Sequence, residues 1–576
     1  MTFTRGDRFG SVVAISILAA LLSGCGGSGR RGGGGGGTDA GPGPGPGPVV
    51  TTCEAAAAAS SYIGCEYWAT TTTNPVADEF EFAVVVSNPQ SAPAEVQVTR
   101  DGITISAVTV PPDGVETVRL PWVDALKWPV TTSADGSEVT YHSTLVRRGA
   151  YRVTSSLPVV VYQFNPLEYR VDRDCADELG GPPDDGQCHS YSNDASLLLP
   201  TTALTGNYIA LAREAHHQRI QVRDPSTGEL VPDPDTGLPY TLWRDSPGYV
   251  AITGADTGPV DVTVTFGGDV AEAVDGAVTA GSAGSTATYR LEPGDVLQLV
   301  NAEPPETCTS SQPDDEIPTD CGGVPCNAVY TYCEVDRRYD LTGTVVVASG
   351  KVSVSGGHHC TFVPHHRWAC DHLEETMFPL ESWGKDFVVS ITQPLGSEPN
   401  IVRIVSGADA NAVTFDPASV HGRVTLARGE TLELEAREDF RVSGSEALLV
   451  GQLLVGQDYA GVGSSEPMSN GDPALSLAVP SEQFRNTYTF LAPTTYAVSF
   501  VNVTAPDGAQ VLLDGAPVEG WRPVGATGFR TARVMVPGGA HRMSSDRGFG
   551  IVVYGFGSYT SYMYPGGLNF ERINLI

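Results

Sequence analysis

One irregularly spaced strand pattern occurs four times in this chain and constrains its fold more than any other feature. Its first half is an alternating strand, a polar break and a second alternating strand, found at 82–102, 249–268, 401–417 and 496–515. Its second half passes through a glycine turn and closes on a strongly apolar strand, as in YRVTSSLPVVVYQF (151–164). Period-two alternation interrupted by Gly, Asp and Pro turns is typical of antiparallel sandwiches. The pattern predicts an all-β fold of four antiparallel β-sandwich-like modules, tandem or interlocked, with disulfide-braced loops.

A connector recurs between the modules. It occurs as DASLLLPTTALTGNYIAL, DHLEETMFPLESWGKDFVV and DPALSLAVPSEQFRNTYTFL, starting at Asp194, Asp371 and Asp472. Each copy runs from the aspartate through apolar residues to a proline and then to an aromatic residue. We expect these aspartates to act as caps or turns. The connectors place the modules at about 65–192, 194–369, 371–470 and 472–576.

The first 52 residues have the features of an export signal followed by a spacer. Residues 1–24 contain two arginines and the apolar stretch SVVAISILAALLSG, which is too short to span a bilayer. The sequence LLSGC resembles the bacterial lipoprotein signal, so Cys25 is the predicted lipidated residue and the lipid bilayer a predicted partner. Gly26 after that cysteine favours the outer membrane. Residues 25–52 are rich in Gly and Pro and predict a tether that holds the modules off the membrane surface.

The remaining cysteines predict a set of disulfides. Ten are left after Cys25, an even number in an exported chain. They cluster locally, and they are Cys53, Cys65, Cys175, Cys188, Cys308, Cys321, Cys326, Cys333, Cys360 and Cys370. Five loop-pinning bridges are expected, with the pairing inside 308–333 open among three options.

Charge excludes one class of partner and leaves another open. The formal net charge is −33, with 34 Lys and Arg against 67 Asp and Glu, so we expect no nucleic-acid partner. Acidic loops at 175–188, 223–243 and 310–321 offer oxygen ligands for weak Ca²⁺ binding, but none matches a known calcium loop. Solvated acidic loops are the preferred interpretation, and no cofactor is expected.

The segment SGGHHCTFVPHHRWACDHLEE (355–375) raises the question of a metal site. Its histidines and two cysteines are more than enough for zinc, and His358, His359, His365 and His366 are the weak metal candidates. Their spacing, however, fits neither a zinc finger nor a helical HExxH site. In an oxidising compartment Cys360 and Cys370 are expected to form a disulfide instead. A histidine-only site for Zn²⁺ or Cu²⁺ is the alternative.

A family resemblance rests on the residues around this segment. The stretch DLTGTVVVASGKVSVSGGHHC (340–360) and the following CDHLEETMFPLESWGKDFVV (370–389) resemble the N-terminal domain of the IgGFc-binding protein family. LPVVVYQFNPL (157–167), YSNDASLLLP (191–200) and GFGSYTSYMYPGGLNF (555–570) extend the resemblance to about 65–570. The doubled His358–His359 leaves open which histidine aligns. The resemblance implies a secreted or surface-displayed binding protein and names no ligand-specific residue.

These observations lead to one predicted function and two alternatives. The chain is expected to be a surface-exposed, lipid-anchored binding or adhesion protein for an extracellular protein or glycan, and not an enzyme. Trp243 and Trp368, each ending a polar insertion, are the candidate exposed binding residues, whereas Trp383 is expected in the core. The alternatives are a secreted metal-dependent hydrolase that uses the His358–His372 loop and a structural component of the cell envelope.

Overall fold

The computed structural model describes residues 50–59, 61–133, 139–171, 188–233, 237–321, 323–460 and 471–574. The predicted signal, Cys25 and nearly all of the tether lie outside these residues, as does Cys175. Strands provide almost all of the regular structure, so the all-β prediction is confirmed. No helix of the described residues is long and apolar enough to cross a membrane.

The first unit holds twelve strands and two short helices. They are α1 (Cys53–Ala59), β1 (Gly64–Ala69), β2 (Phe82–Ser87), β3 (Ala94–Arg100), β4 (Ile103–Val110), β5 (Val115–Leu120), α2 (Asp124–Lys127), β6 (Val130–Thr132), β7 (Val139–Tyr141), β8 (Thr144–Val146), β9 (Tyr151–Phe164), β10 (Arg170–Val171), β11 (Cys188–His189) and β12 (Ala195–Leu197).

The second unit holds the next twelve strands and a 3₁₀ turn at Arg337–Tyr339. The strands are β13 (Asn207–Ile209), β14 (His216–Arg223), β15 (Thr241–Ser246), β16 (Gly248–Gly254), β17 (Val260–Thr265), β18 (Thr286–Leu291), β19 (Val296–Val300), β20 (Asp315–Asp320), β21 (Pro325–Tyr332), β22 (Val345–Ala348), β23 (Val352–Thr361) and β24 (Asp371–Thr376).

The third and fourth units hold eight strands each. In the third unit, a 3₁₀ turn at Leu380–Ser382 precedes β25 (Asp386–Val389), β26 (Asn400–Ser406), β27 (Asn411–Asp416), β28 (Val424–Leu426), β29 (Thr431–Ala436), β30 (Phe440–Gly444), β31 (Leu448–Leu453), α3 (Gln457–Ala460) and β32 (Leu475–Leu477). In the fourth, a 3₁₀ turn at Ser481–Gln483 precedes β33 (Arg485–Ala492), β34 (Val498–Pro506), β35 (Val511–Leu513), β36 (Ala516–Pro517), β37 (Arg522–Pro523), β38 (Phe529–Val536), β39 (Gly539–Gly557) and β40 (Thr560–Pro565).

All four units have the same strand connectivity, and β8 extends a sheet of the second unit by pairing with β19. In the first unit, one sheet has the order β1-β9-β3-β4 and the other β12-β9-β2-β5, and both share the long strand β9. The fourth unit repeats this arrangement around the 19-residue strand β39. In the second and third units the equivalent strand is interrupted, giving β22 with β23 and β30 with β31. The apolar strand that closes each sequence repeat is therefore the strand that joins the two sheets of its sandwich.

The connectors meet at the centre of the molecule. The connector strands β12, β24 and β32 pair with β9, β23 and β31, so each connector closes one sandwich before the chain enters the next, and the last strand, β40, pairs with β39 in the same way. They also contact one another, β12 with β24 and β40, and β32 with the same two. The chain thus builds a hub from the last strand of each unit, and the largest hydrophobic cluster draws residues from all four units.

Aspartates fix the connector strands to one another. The Asp194 carboxylate accepts hydrogen bonds from the backbone N–H of Ala195 at 2.8 Å, Glu374 at 2.9 Å and Leu475 at 2.9 Å. Asp194 is fully buried, and burial raises the pKa of its carboxyl well above the usual value. The sequence predicted a local cap, whereas the structure shows one carboxyl joining three connectors.

Two interruptions of the second unit form a separate sheet. The hairpin β14–β15 leaves the unit before β16, the hairpin β20–β21 leaves it after β19, and together they form a sheet of order β15-β14-β21-β20. The disulfides Cys308–Cys333 and Cys321–Cys326 close its second hairpin. This pairing selects one of the three options that the sequence left open. We call this four-stranded structure the insertion sheet.

Candidate functional site

The histidine segment lies at the edge of the second sandwich, under the insertion sheet. Its first residues, 355–361, form the end of strand β23, and its last residues, 371–375, begin β24. The disulfide Cys360–Cys370 closes the loop between them, as expected. A Cβ atom at Gly357 would lie 1.8 Å from the carbonyl oxygen of Leu373, so only glycine permits this approach of β24. The disulfide and the glycine together fix the loop to the sandwich.

Three of the five histidines are interior residues. His358, His359 and His372 are all buried, with His358 and His372 fully enclosed. The Nδ1 atom of His359 lies 2.8 Å from the Thr73 hydroxyl, and the Nδ1 of His358 accepts the backbone N–H of Cys360 at 3.1 Å. Burial lowers the pKa of His359 to about 3 and that of His358 well below its usual value. The rings of His358 and His359 are therefore neutral packing groups.

The other two histidines line the loop itself. His365 and His366 are half-buried, and their ring centres are 5.0 Å apart. Burial lowers the pKa of both rings. Within the ranges that the structure describes, no three His, Cys, Asp or Glu side chains are grouped so that they could hold a metal ion. Because both cysteines are in a disulfide, they supply no thiolate ligand.

The two predicted tryptophans are less exposed than the sequence suggested. Trp368 is half-buried and packs edge-on against Phe362, with ring centres 5.3 Å apart. Trp243, on β15 of the insertion sheet, is also half-buried and stacks on His217 with ring centres 4.8 Å apart and planes 3° from parallel. His217 of the insertion sheet covers one face of the Trp243 indole, Phe362 contacts the Trp368 indole, and part of each indole remains accessible.

His217 holds the stacked Trp243 in place. Its Nδ1 lies 2.6 Å from an Asp245 carboxylate oxygen, and its Nε2 lies 3.2 Å from the carbonyl oxygen of Thr307. Both ring nitrogens therefore have partners, and the ring cannot rotate without losing one. The indole of Trp243 is presented on a fixed platform.

Trp128 is an exposed aromatic residue that was not among the predicted binding residues. Its side chain retains 46% exposure, and its ring lies 6.2 Å from Tyr141 and 5.4 Å from His359. The backbone N–H of Tyr141 donates to the Glu303 carboxylate at 3.3 Å, and burial, then Glu303 and then Asp245 raise the pKa of the Tyr141 hydroxyl. No sequence pattern marks Trp128: it follows the four-residue helix α2 in the stretch DALKWPV. We call Trp128, Tyr141, Trp243 and Asp245 the aromatic surface.

The acidic loops use many of their carboxylates internally. Asp224 accepts hydrogen bonds from the backbone and hydroxyl of Ser226 at 2.7 and 2.6 Å, a local turn. Asp314 accepts the Thr331 hydroxyl at 2.7 Å, which ties a loop residue to the insertion sheet. These contacts give the carboxylates structural roles, while most of the loop 175–188 lies outside the described residues.

Two comparisons with known proteins point to the same family. Residues 194–555, more than half of the chain, match the family model described as IgGFc binding protein. The human IgGFc-binding protein is 24% identical over 240 residues, which is 40% of this chain. The match covers 4% of the length of that human protein. The matched family region begins at the first connector and ends in β39.

Proposed function

This chain belongs to the IgGFc-binding protein family, and from that premise we propose that it is an extracellular binding protein. The name of the human relative states that it binds the Fc part of IgG. The overlap with that protein is too short to assign the same ligand to this chain. Disulfides support an extracellular location, because such bonds persist in oxidising compartments.

The aromatic surface is the part of the molecule that best supports binding. Trp243 stacks on His217, whose Nδ1 contacts the Asp245 carboxylate, Trp128 packs against Tyr141, and the two insertion-sheet disulfides hold the platform in place. Fixed aromatic side chains supply contact area at little entropic cost, and carboxylates accept hydrogen bonds from hydroxyl or cationic groups. The partner is therefore a protein or glycan that presents such donors beside apolar surface. This geometry is the single observation that carries the proposal.

Anchoring completes the proposal. Lipidation at Cys25 would attach the chain to the bacterial outer membrane, and residues 25–52 would hold the four sandwiches away from it. An adhesion role follows from such an arrangement, since a tethered, disulfide-braced molecule displays its surface to the outside. The support is the sequence LLSGC and the Gly/Pro composition of the tether.

A binding survey with matched variants tests the proposal. The oxidised chain is applied to immobilised IgG Fc fragments, a glycan array and an array of extracellular proteins. We expect saturable binding to one class, with a loss of about tenfold or more in the double variant W128A/W243A. The control M535A removes an exposed apolar side chain, 58% accessible, from β38 of the fourth unit and should bind as the wild type does.

Other outcomes of the survey would change either the proposed binding surface or the proposed role. Binding that W128A/W243A leaves unchanged would move the binding surface away from this region. Binding to none of the probes would contradict the binding role and favour a structural component of the envelope. In the described part of the chain no observation favours the metal-dependent hydrolase, because the histidines that it needs are mostly interior.

A further inference from the structure

A group of reactive side chains lies in the interior, away from the aromatic surface. Thr72 is in the extended segment after β1, and Asn165 directly follows the long strand β9. His372 and Glu374 belong to the connector strand β24. All four residues are fully buried. A hydroxyl, a carboxamide, an imidazole and a carboxyl group are thus enclosed together without water-accessible surface.

Their geometry brings a nucleophile next to an acyl group. The Thr72 hydroxyl oxygen lies 3.3 Å from the Asn165 amide nitrogen. It lies 3.1 Å from the Glu374 Oε2 atom and 3.4 Å from the His372 Nε2 atom. A carboxyl or imidazole at hydrogen-bond distance from a hydroxyl is the arrangement that activates a weak alcohol nucleophile.

One oxygen of Glu374 contacts both groups. Its Oε2 atom accepts the Thr72 hydroxyl and also the Asn165 amide N–H. The other oxygen, Oε1, accepts the Gln163 amide N–H at 2.6 Å, which fixes the rotation of the carboxyl group. A proton taken from the hydroxyl can therefore be delivered to the amide nitrogen by the same atom.

We propose that Thr72 and Asn165 react with each other and form an intramolecular ester. The Thr72 Oγ1 attacks the Asn165 Cγ while its proton passes to Glu374. The tetrahedral intermediate then collapses: the C–N bond of the carboxamide breaks, and Glu374 returns the proton to the departing nitrogen. Alcohol and amide become ester and ammonia, with no change of oxidation state and no external reagent.

The interior position favours this reaction and sets its rate. Holding the reacting groups together corresponds to effective concentrations of about 10⁵–10⁸ M in well-oriented cases. Ammonia escapes, and the absence of water-accessible surface protects the ester from hydrolysis. The Asn165 Oδ1 atom has no hydrogen-bond partner in the described residues, so no donor stabilises the oxyanion. The bond therefore forms once, slowly, as a maturation step.

Such a bond would brace the first unit independently of redox conditions. Thr72 and Asn165 are 93 residues apart, so the ester closes a larger loop than any disulfide among the described residues. It would join the segment after β1 to the end of β9. Reductants that open the disulfides would leave it intact.

Intact-mass measurement of the purified full chain tests the proposal. We expect a mass about 17 Da below that of the oxidised sequence, the mass of one ammonia, approached over several days at 37 °C if fresh protein is incomplete. Digestion should yield one cross-linked peptide that contains Thr72 and Asn165 and that survives reductant. Mild alkali should cleave it. An aged wild-type sample with Asn165 intact and no mass loss overturns the proposal.

Matched variants identify the atoms. T72V removes the nucleophile and should abolish the loss, whereas T72S should retain it. T71V is the control, because Thr71 is equally buried and its hydroxyl has no hydrogen-bond partner in the described residues. E374Q should slow the reaction at least tenfold. Ammonia can also leave from an Asn-Gly pair such as Asn470–Gly471, so a loss that persists in T72V would contradict the assignment.

Discussion

Replacing Arg403 with methionine is expected to destabilise the protein by about 3 kcal/mol. Arg403 lies on β26 of the third unit and is 5% exposed. Its guanidinium donates to Glu214 and Glu433 at 2.5 Å and to Asp340 at 3.1 Å. It also donates to the carbonyl oxygen of Ala212 at 2.8 Å. One side chain thus joins the second and third units through hydrogen bonds from all three of its guanidinium nitrogens.

The magnitude follows from the charges that remain. Three carboxylates surround two guanidiniums, Arg403 and the buried Arg213, so the cluster carries −1 and would carry −2 in the variant. Removing one partner of a buried ion pair costs about 3–5 kcal/mol because the other charge stays desolvated. Glu433 and Glu214 retain 35% and 22% side-chain exposure, which places the expected cost at the lower end.

Denaturant titration at two pH values is the assay. Burial opposes ionisation, but Arg213 and Arg403 outweigh it and hold the pKa of Glu214 below its usual value. A carboxyl group whose pKa is lower in the folded than in the unfolded state stabilises the fold at pH values above its unfolded pKa, and this stabilisation is lost as the pH falls. The penalty of R403M should therefore shrink towards pH 4. The control R290M breaks an exposed pair with Asp261 and should cost less than about 1 kcal/mol. Equal effects of R403M and R290M, or a penalty independent of pH, would refute the reasoning.

Three further predictions concern the histidine segment and the anchor. H359N removes a ring whose pKa is about 3 in the folded state and about 6.5 in the unfolded state. The stability that this ring contributes is therefore complete above pH 6.5 and is lost on acidification. The deficit of H359N relative to wild type in urea titrations should therefore shrink by about 2 kcal/mol between pH 6.5 and 5, and a constant deficit would count against a neutral interior ring. The pair C360A/C370A opens a bridge of sequence separation 10 and should cost about 2–3 kcal/mol, measured by thermal unfolding without reductant; no change in midpoint would show that the loop needs no bracing. C25A should move the chain from the membrane to the soluble fraction of fractionated cells, and retention at the membrane would contradict lipid anchoring.

The sequence predicted the positions of the strands better than it predicted which strands pair with each other. Alternation and glycine turns predicted the four β modules, because side-chain period is a local property. The alternation could not show that β9 and β39 each belong to two sheets, or that β14 pairs with β21 although 101 residues (224–324) separate the two strands. Those pairings depend on long-range contacts.

The candidate site was also only partly predictable from the sequence. The cysteine count and local clustering predicted bridges such as Cys360–Cys370, since compartment and spacing constrain them. Exposure was harder to predict: Trp243 is stacked on His217, while Trp128 is open to solvent without any motif around it. Asp194 was expected to be a local cap, but its carboxyl binds three connectors because the units meet at a hub.

Peptide mapping of the exported protein without reductant tests most directly whether the histidine segment braces the fold. We predict that Cys360 and Cys370 are joined to each other, with Cys308 joined to Cys333 and no bound metal after purification. Free thiols at 360 and 370, or a stoichiometric metal ion retained by that loop, would contradict it.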